Sequence, residues 1–198
     1  MKPRAPASDQ RGSVVIEFAI MAPIMLLLMM GMGELAYQAY VRSALVGAMQ
    51  KAGRDSTIQG GAESADAIDA KVLAMVQNVA PGATFDNAPA DRRKSYAQFT
   101  DIAVPERFDD TNNNKLRDPG ECFTDINRNG VWDADPGNAG QGGASDVTVY
   151  KLVVRYARLF PLATLLGGSS DQLINATVLL KNQPYASQVA STPPTVCT

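Results

Sequence analysis

The sequence predicts an α+β protein. One long N-terminal helix, apolar enough at its start to cross a membrane, carries a small head made of a second helix and an antiparallel sheet. Three observations predict this. Val14 to Gly33 is a run of 20 residues in which Glu17 is the only ionisable side chain. Helix-forming residues continue to Asp55 with no further Pro. Two later segments alternate apolar and polar residues with the period of a strand. A chain of 198 residues allows one domain plus an extra segment. With 45% hydrophobic and 19% charged residues and a net charge of −2, it is neither a disordered tail nor a basic nucleic-acid binder. The absence of His removes Ser–His and Cys–His nucleophile pairs and His-ligated zinc.

The N-terminal element comes first. Lys2, Arg4 and Arg11 against Asp9 give a net +2 ahead of the apolar run. Twenty helical residues span about 30 Å, the thickness of a bilayer's hydrocarbon core. A basic leader before such a span places the N-terminus in the cytoplasm and the head outside. A cleaved secretory signal fits less well, since Met32-Gly33-Glu34 is a poor cleavage site. A soluble core helix would need a polar face, which the run lacks. From Glu34 to Asp55, Leu35, Ala39, Arg42, Val46, Met49 and Ala52 fall near a 3.6 period. One helix over Ser13–Asp55 would be about 65 Å long, with Pro23 removing one backbone hydrogen bond.

Residues 56–63 read as a link. Ala65 to Ala80 reads as a helix with an apolar stripe of Ile68, Val72, Met75, Val76 and Val79, stopped by Pro81-Gly82. Residues 95–104 are a weak strand candidate, and Asp109 to Gly143 is rich in loops. From Asp146 to Arg158 a strand places Thr148, Tyr150, Leu152, Val154 and Tyr156 on one face and Lys151 and Arg155 on the other. Leu159 to Leu166 is a short apolar segment. Leu173 to Lys181 is a second strand, with Ile174, Ala176, Val178 and Leu180 facing one way. Residues 184–198 read as a polar tail. No long internal repeat is expected.

The loop-rich stretch carries the clearest chemistry. Asp110, Asn112, Asn114, Asp118 and Glu121 stand at positions 1, 3, 5, 9 and 12 of one loop. Asp125, Asn127, Asn129 and Asp133 repeat positions 1, 3, 5 and 9, offset by 15 residues, with Gly130 at position 6. This is the pattern of EF-hand-type calcium loops: short oxygen-bearing side chains alternate inward, and the carbonyl at position 7, here Leu116 or Val131, faces the ion. Lys115 replaces the usual Gly in the first loop. Pro136 occupies position 12 of the second, so Asp135 or a donor from elsewhere must complete it. Two structural Ca2+ ions are the expectation. The alternative is an Asx-rich turn region, which the same residue types also favour. Seven acids against three bases over residues 109–136 would repel one another without a cation.

Two Cys, Cys122 and Cys197, are too few for a Cys-rich zinc site. Beyond an inner membrane the compartment is oxidising, and a bond between them would tie the tail to the loop region. Two free thiols are the alternative.

Gly12-Ser13-Val14-Val15-Ile16-Glu17-Phe18 places a Gly, four residues, a Glu and an aromatic ahead of the span. This resembles the processing site of type IV pilins, and most closely that of tight-adherence (Tad) pilus proteins. Phe160-Pro161 between the two strands, and the run into Asn182-Gln183-Pro184-Tyr185, resemble the TadE/TadG class, with Gln183 where an acid is usual. The likeness covers residues 12–55 and 147–185; the middle looks like an insertion. The resemblance implies that residues 1–12 are a leader removed by a membrane prepilin peptidase. Ser13 would then carry the new amine, one helical turn from Glu17. It further implies a head over residues 56–198 with a loop insertion at 109–143, and a structural or assembly role in a Tad-type pilus. That role is a pseudopilin or minor pilin in a bacterial inner membrane, meeting other pilins through its helix, with surface adhesion and entry into the fibre as extensions. The rival is an unprocessed single-pass anchor whose acidic loops capture or sense a ligand. No catalytic constellation supports an enzyme, and no feature supports a nucleic-acid partner.

Overall fold

The computed structural model describes residues 11–56, 65–165, 167–183 and 192–197. Helix α1 runs unbroken over Arg11–Ser56, 46 residues with Pro23 inside, and is about 70 Å long. Its two halves have different surroundings. The large apolar side chains from Val14 to Met29 are exposed. Val41, Leu45, Ala48, Met49 and Ala52 are buried beneath the head. That buried face differs from the expected stripe, since Leu35, Ala39 and Arg42 are exposed. The head selects the face through Val41, Leu45, Met49 and Ala52, spaced four, four and three residues apart, which stack along one side of a helix.

Helix α2 covers Ala65–Gln77 and buries Ile68, Val72 and Val76 against α1. It ends a turn earlier than expected, and Val79 and Ala80 close it with backbone bonds back to Val76. The main sheet is antiparallel. Its spine is β5, Val147–Ala157, paired over its whole length with β6, Asp171–Lys181. The other edge of β5 pairs with β1, Thr84–Phe85, and with β2, Arg93–Tyr96, and β2 in turn pairs with β4, Asn138–Ala139. The weak strand expected at 95–104 is therefore shifted: pairing ends at Tyr96, and a 3-10 turn over Phe99–Asp101 follows.

The alternation on β5 holds. Thr148, Tyr150, Leu152, Val154 and Tyr156 are all buried, while Lys151 and Arg155 are exposed. Tyr150, Leu152, Val154 and Tyr156 form one core with Ile174 and Ala176 of β6 and with α1 and α2. Close approach matters at Gly53, where a Cβ would lie 2.5 Å from Leu180 Cδ2, so any larger residue there requires the Leu180 side chain to shift.

One ionic group lies in this core. Asp69 of α2 is buried and accepts hydrogen bonds from Arg93, from Arg92 at 3.0 Å and from the Tyr150 hydroxyl at 2.6 Å. Burial alone would raise the carboxyl pKa. The bonds from Arg93, Tyr150 and Arg92 outweigh it and hold it below the usual carboxylate range.

A second, small sheet pairs β3, Cys122–Thr124, with β7, Thr195–Cys197. The end of the expected polar tail is thus a strand, joined to β3 by the Cys122–Cys197 disulfide at their facing ends. Between β5 and β6 the short helix α3, Leu162–Leu165, forms a hairpin tip.

Candidate functional site

The loop region is built on β3. Loop 1, residues 110–121, leaves the segment that pairs with β3 and returns into Cys122. Asp109 N–H donates to Cys122 O at 2.8 Å, Thr124 N–H to Arg107 O at 2.8 Å, and Phe108 bridges to Phe123. Loop 2 starts directly after β3 at Asp125, and Asp133 O accepts from Glu106 N–H at 3.0 Å.

The two loops share one internal pattern. In loop 1, Asp110 accepts from Asn114 N–H at 3.1 Å and Lys115 N–H at 2.8 Å. In loop 2, Asp125 accepts from Asn129 N–H at 3.1 Å and Gly130 N–H at 2.8 Å. Asn112 and Asn127 Oδ1 accept from the N–H two residues on, as do Asn114 and Asn129, whose donors are Leu116 and Val131. The Asn112 and Asn114 amides both donate to Asp118 Oδ2, at 2.6 and 2.7 Å, and the Asn127 and Asn129 amides both donate to Asp133 Oδ2, at 2.8 and 2.6 Å. Backbones match as well: positions 4 and 6 are left-handed in both, at Asn113 and Lys115 and at Arg128 and Gly130. Lys115 holds φ +64° where Gly130 holds +77°.

Closure of the second loop comes from elsewhere in the chain, the second of the two alternatives left open above. Glu121 ends loop 1 by accepting from Thr111 N–H at 2.9 Å and Asp118 N–H at 3.0 Å. Those two backbone bonds, Asp118's first, hold its carboxyl below the usual range. In loop 2 the same two positions, Ile126 N–H and Asp133 N–H, donate to Glu106 at 2.7 and 3.0 Å. Asp135 is engaged elsewhere, by Lys94 Nζ and the Tyr96 hydroxyl, each at 2.7 Å. Glu106 is 1% exposed. Sequence reasoning missed it, although a signal was present. Glu106 precedes Asp110 by four residues, as Glu121 precedes Asp125, so the stretch is a 15-residue repeat of the form Glu-x-Phe-x-Asp-x-Asn-x-Asn. Each repeat's Glu closes the other repeat's loop.

The donor set is carboxylate and amide oxygen, the chemistry that suits a hard cation. Among the described residues no three acidic or cysteine side chains gather closely enough to hold a metal by themselves. Asn amide nitrogens turn toward Asp118 and Asp133 and meet the negative charge there.

At the other end of the molecule, Gly12, Glu17 and Phe18 lie on α1, and Glu17 and Phe18 are exposed. The Ser13 side chain and Pro184-Tyr185 fall outside the described residues, as do residues 1–10. Among the described residues α1 is the one helix long and apolar enough to cross a membrane, and its most apolar stretch is not buried against the rest of the chain.

A long helix with an exposed apolar half and a small α+β head suggests a single-pass membrane anchor. Residues 12–54 match the family model described as TadE-like protein. The match covers almost all of α1 and none of the head, and it supports a component associated with a Tad-type pilus. Neither a curated protein nor a solved structure matches the chain.

Proposed function

We propose that the chain is a prepilin-like structural component of a Tad-type pilus system, anchored in the inner membrane with its head outside. The observation that carries this reading is the TadE-like match, which begins at Gly12 and takes in Glu17 and Phe18. A prepilin peptidase would cut after Gly12 and leave Ser13 as the first residue. Glu17 is exposed on the lone helix. Within a bilayer such a carboxylate costs about 2.5–3.5 kcal/mol near the midplane. An amine one turn away, its own or a neighbouring pilin's, offsets that cost and fixes register between helices. The test is the mass of the mature protein. A mass starting at Ser13, lost in Gly12→Ala, supports processing; an intact Met1 in the wild type favours the unprocessed anchor. Glu17→Leu is expected to be cut yet to assemble poorly, and normal assembly would remove the amine-pairing role.

In the head, the paired loops are read as two structural calcium sites. Loop 1 would use Asp110, Asn112, Asn114, the Leu116 carbonyl, Asp118 and Glu121. Loop 2 would use Asp125, Asn127, Asn129, the Val131 carbonyl and Asp133, with Glu106 in the place of the missing twelfth residue. The support is the shared hydrogen-bond pattern and its closure by a buried Glu in each loop. Calcium would stiffen a region that has little apolar core of its own.

A further inference from the structure

We propose that the tip of the β5–β6 hairpin, Leu159 to Leu165, is a second membrane contact that rests in the lipid interface beside the end of the α1 span. The proposal rests on α1 crossing a membrane, and it concerns the head rather than the helix. Two features fix the height of the tip. Glu34, the first acid after the apolar run, accepts from the N–H groups of Leu159 and Phe160, each at 3.1 Å. One residue nearer the span, a Cβ on Gly33 would meet Phe160 Cε2 at 2.9 Å, so the ring lies directly on the helix backbone. The tip is therefore clamped at the residue where the 20-residue apolar run ends.

What the clamp presents is apolar. Leu159 is 53% exposed and Leu165 75% exposed, although both belong to a segment that reads Leu-Phe-Pro-Leu-Ala-Thr-Leu-Leu. On α1 the clamp residues Gly33 and Glu34 stand between the exposed Met32 and Leu35, at the end of the exposed apolar run, and a tip held at that level has lipid as its occupant wherever the run is in a bilayer. Arg158 and Glu34, 3.8 Å apart, form the charged rim on the head side. An apolar tip with ionic groups directly above it has the polarity profile of an interfacial segment. Such a contact would hold the head at a fixed tilt over the bilayer instead of leaving it free on a single helix.

The experiment uses the full chain in phosphatidylcholine vesicles whose acyl chains carry bromine, a short-range quencher of indole fluorescence. Trp132, the single native Trp, lies in loop 2 and supplies the unquenched background. Leu165→Trp and Leu159→Trp report on the tip from two exposed positions, and Leu28→Trp reports on the span. The expected result is that Trp at 165 and at 159 lose most of their added fluorescence in brominated vesicles, as Trp at 28 does. Quenching at 28 alone overturns the proposal and leaves the span intact. Emission at 165 that is blue-shifted but unquenched also overturns it, because another protein copy then covers the tip. Absence of quenching at all three positions removes the span reading and this proposal with it.

Discussion

Glu106 and Glu121 each close the loop that the other one precedes. Glu121 receives the second and ninth backbone N–H groups of loop 1, and Glu106 receives the second and ninth of loop 2. The two loops are thus one interlocked unit, and a residue 19 positions before loop 2 governs it. Glu106→Ala leaves two backbone donors without their buried acceptor. Hydrogen bonds to a charged group contribute about 1.5–3 kcal/mol each when intact. The variant is expected to unfold at lower denaturant and to become protease-sensitive within 125–135, measured by urea titration and by mapping the first cleavage. Cleavage confined to loop 1 would contradict the crossed closure.

Backbone strain separates the two loops. Lys115 holds a left-handed conformation at φ +64°, while Gly130 occupies the equivalent place at +77°. A side chain in that region costs roughly 1–2 kcal/mol. Lys115→Gly is expected to stabilise the head by about 1 kcal/mol, less the extra entropy Gly gains in the unfolded chain. Gly130→Ala should destabilise it by a similar amount. Thermal melts of the two single variants check the opposite signs.

How much of this was legible in the chain depends on the range of the interaction. The inward face of β5 could be read because Thr148 to Tyr156 follow a period of two within one strand. The span could be read because Val14 to Gly33 is uniform. The buried face of α1 could not, since Leu35 and Ala39 are as apolar as Val41 and Leu45, and only the position of β6 and α2 decides among them. The matching internal hydrogen bonds of the two loops follow from local spacing, since each joins residues two to six positions apart. The role of Glu106 does not, because its partners lie 20 and 27 residues away and only the repeat it shares with Glu121 marks it. Strand β7 escaped for the same reason: three residues at a chain end become a strand only when β3 and Cys122 are beside them.

The disulfide closes a separation of 75 residues. The chain-entropy estimate for a loop of that size is about 4–5 kcal/mol as an upper value. Cys122→Ser with Cys197→Ser should lower the melting temperature and free Thr195–Cys197 from β3, because β7 has no other strand partner among the described residues. Hydrogen exchange at Phe123 and Val196 reads the second effect separately. Unchanged protection there would mean that strand pairing alone suffices.

Asp69 makes the core acid-sensitive. Its folded pKa lies below its ordinary value. A depressed carboxyl contributes stability that is present above the unfolded pKa, about 3.9, and is lost as pH falls through the folded value. Stability should therefore hold at neutral pH and fall below about pH 4. Asp69→Asn removes the charge between Arg92 and Arg93 and should cost about 3–5 kcal/mol at pH 7. It should also flatten the acid limb of a plot of melting temperature against pH. An acid limb of unchanged slope in that variant would assign the sensitivity to other carboxylates.

The proposed calcium sites give a further prediction for the loops, and its size follows from mass action. A ligand that binds only the folded state at 100 times its dissociation constant adds about 2.7 kcal/mol per independent site. Extracellular calcium modules bind at roughly 0.1–1 mM, so millimolar calcium should raise the melting temperature and micromolar calcium should not. Magnesium should substitute poorly, because it demands a tighter octahedron and sheds water reluctantly. Asp110→Ala and Asp125→Ala remove the carboxylate at position 1 of each loop, where two backbone N–H groups are also held. Each single variant should lose about half of the calcium-dependent increment and the double variant nearly all of it. The interlocked closure adds a sharper expectation. Glu106→Gln keeps an oxygen for Ile126 N–H but lowers the charge of loop 2, so calcium response should fall at that loop while loop 1 keeps its own. Equal melting temperatures for the wild type in calcium and in chelator would return both loops to the status of Asx-rich turns.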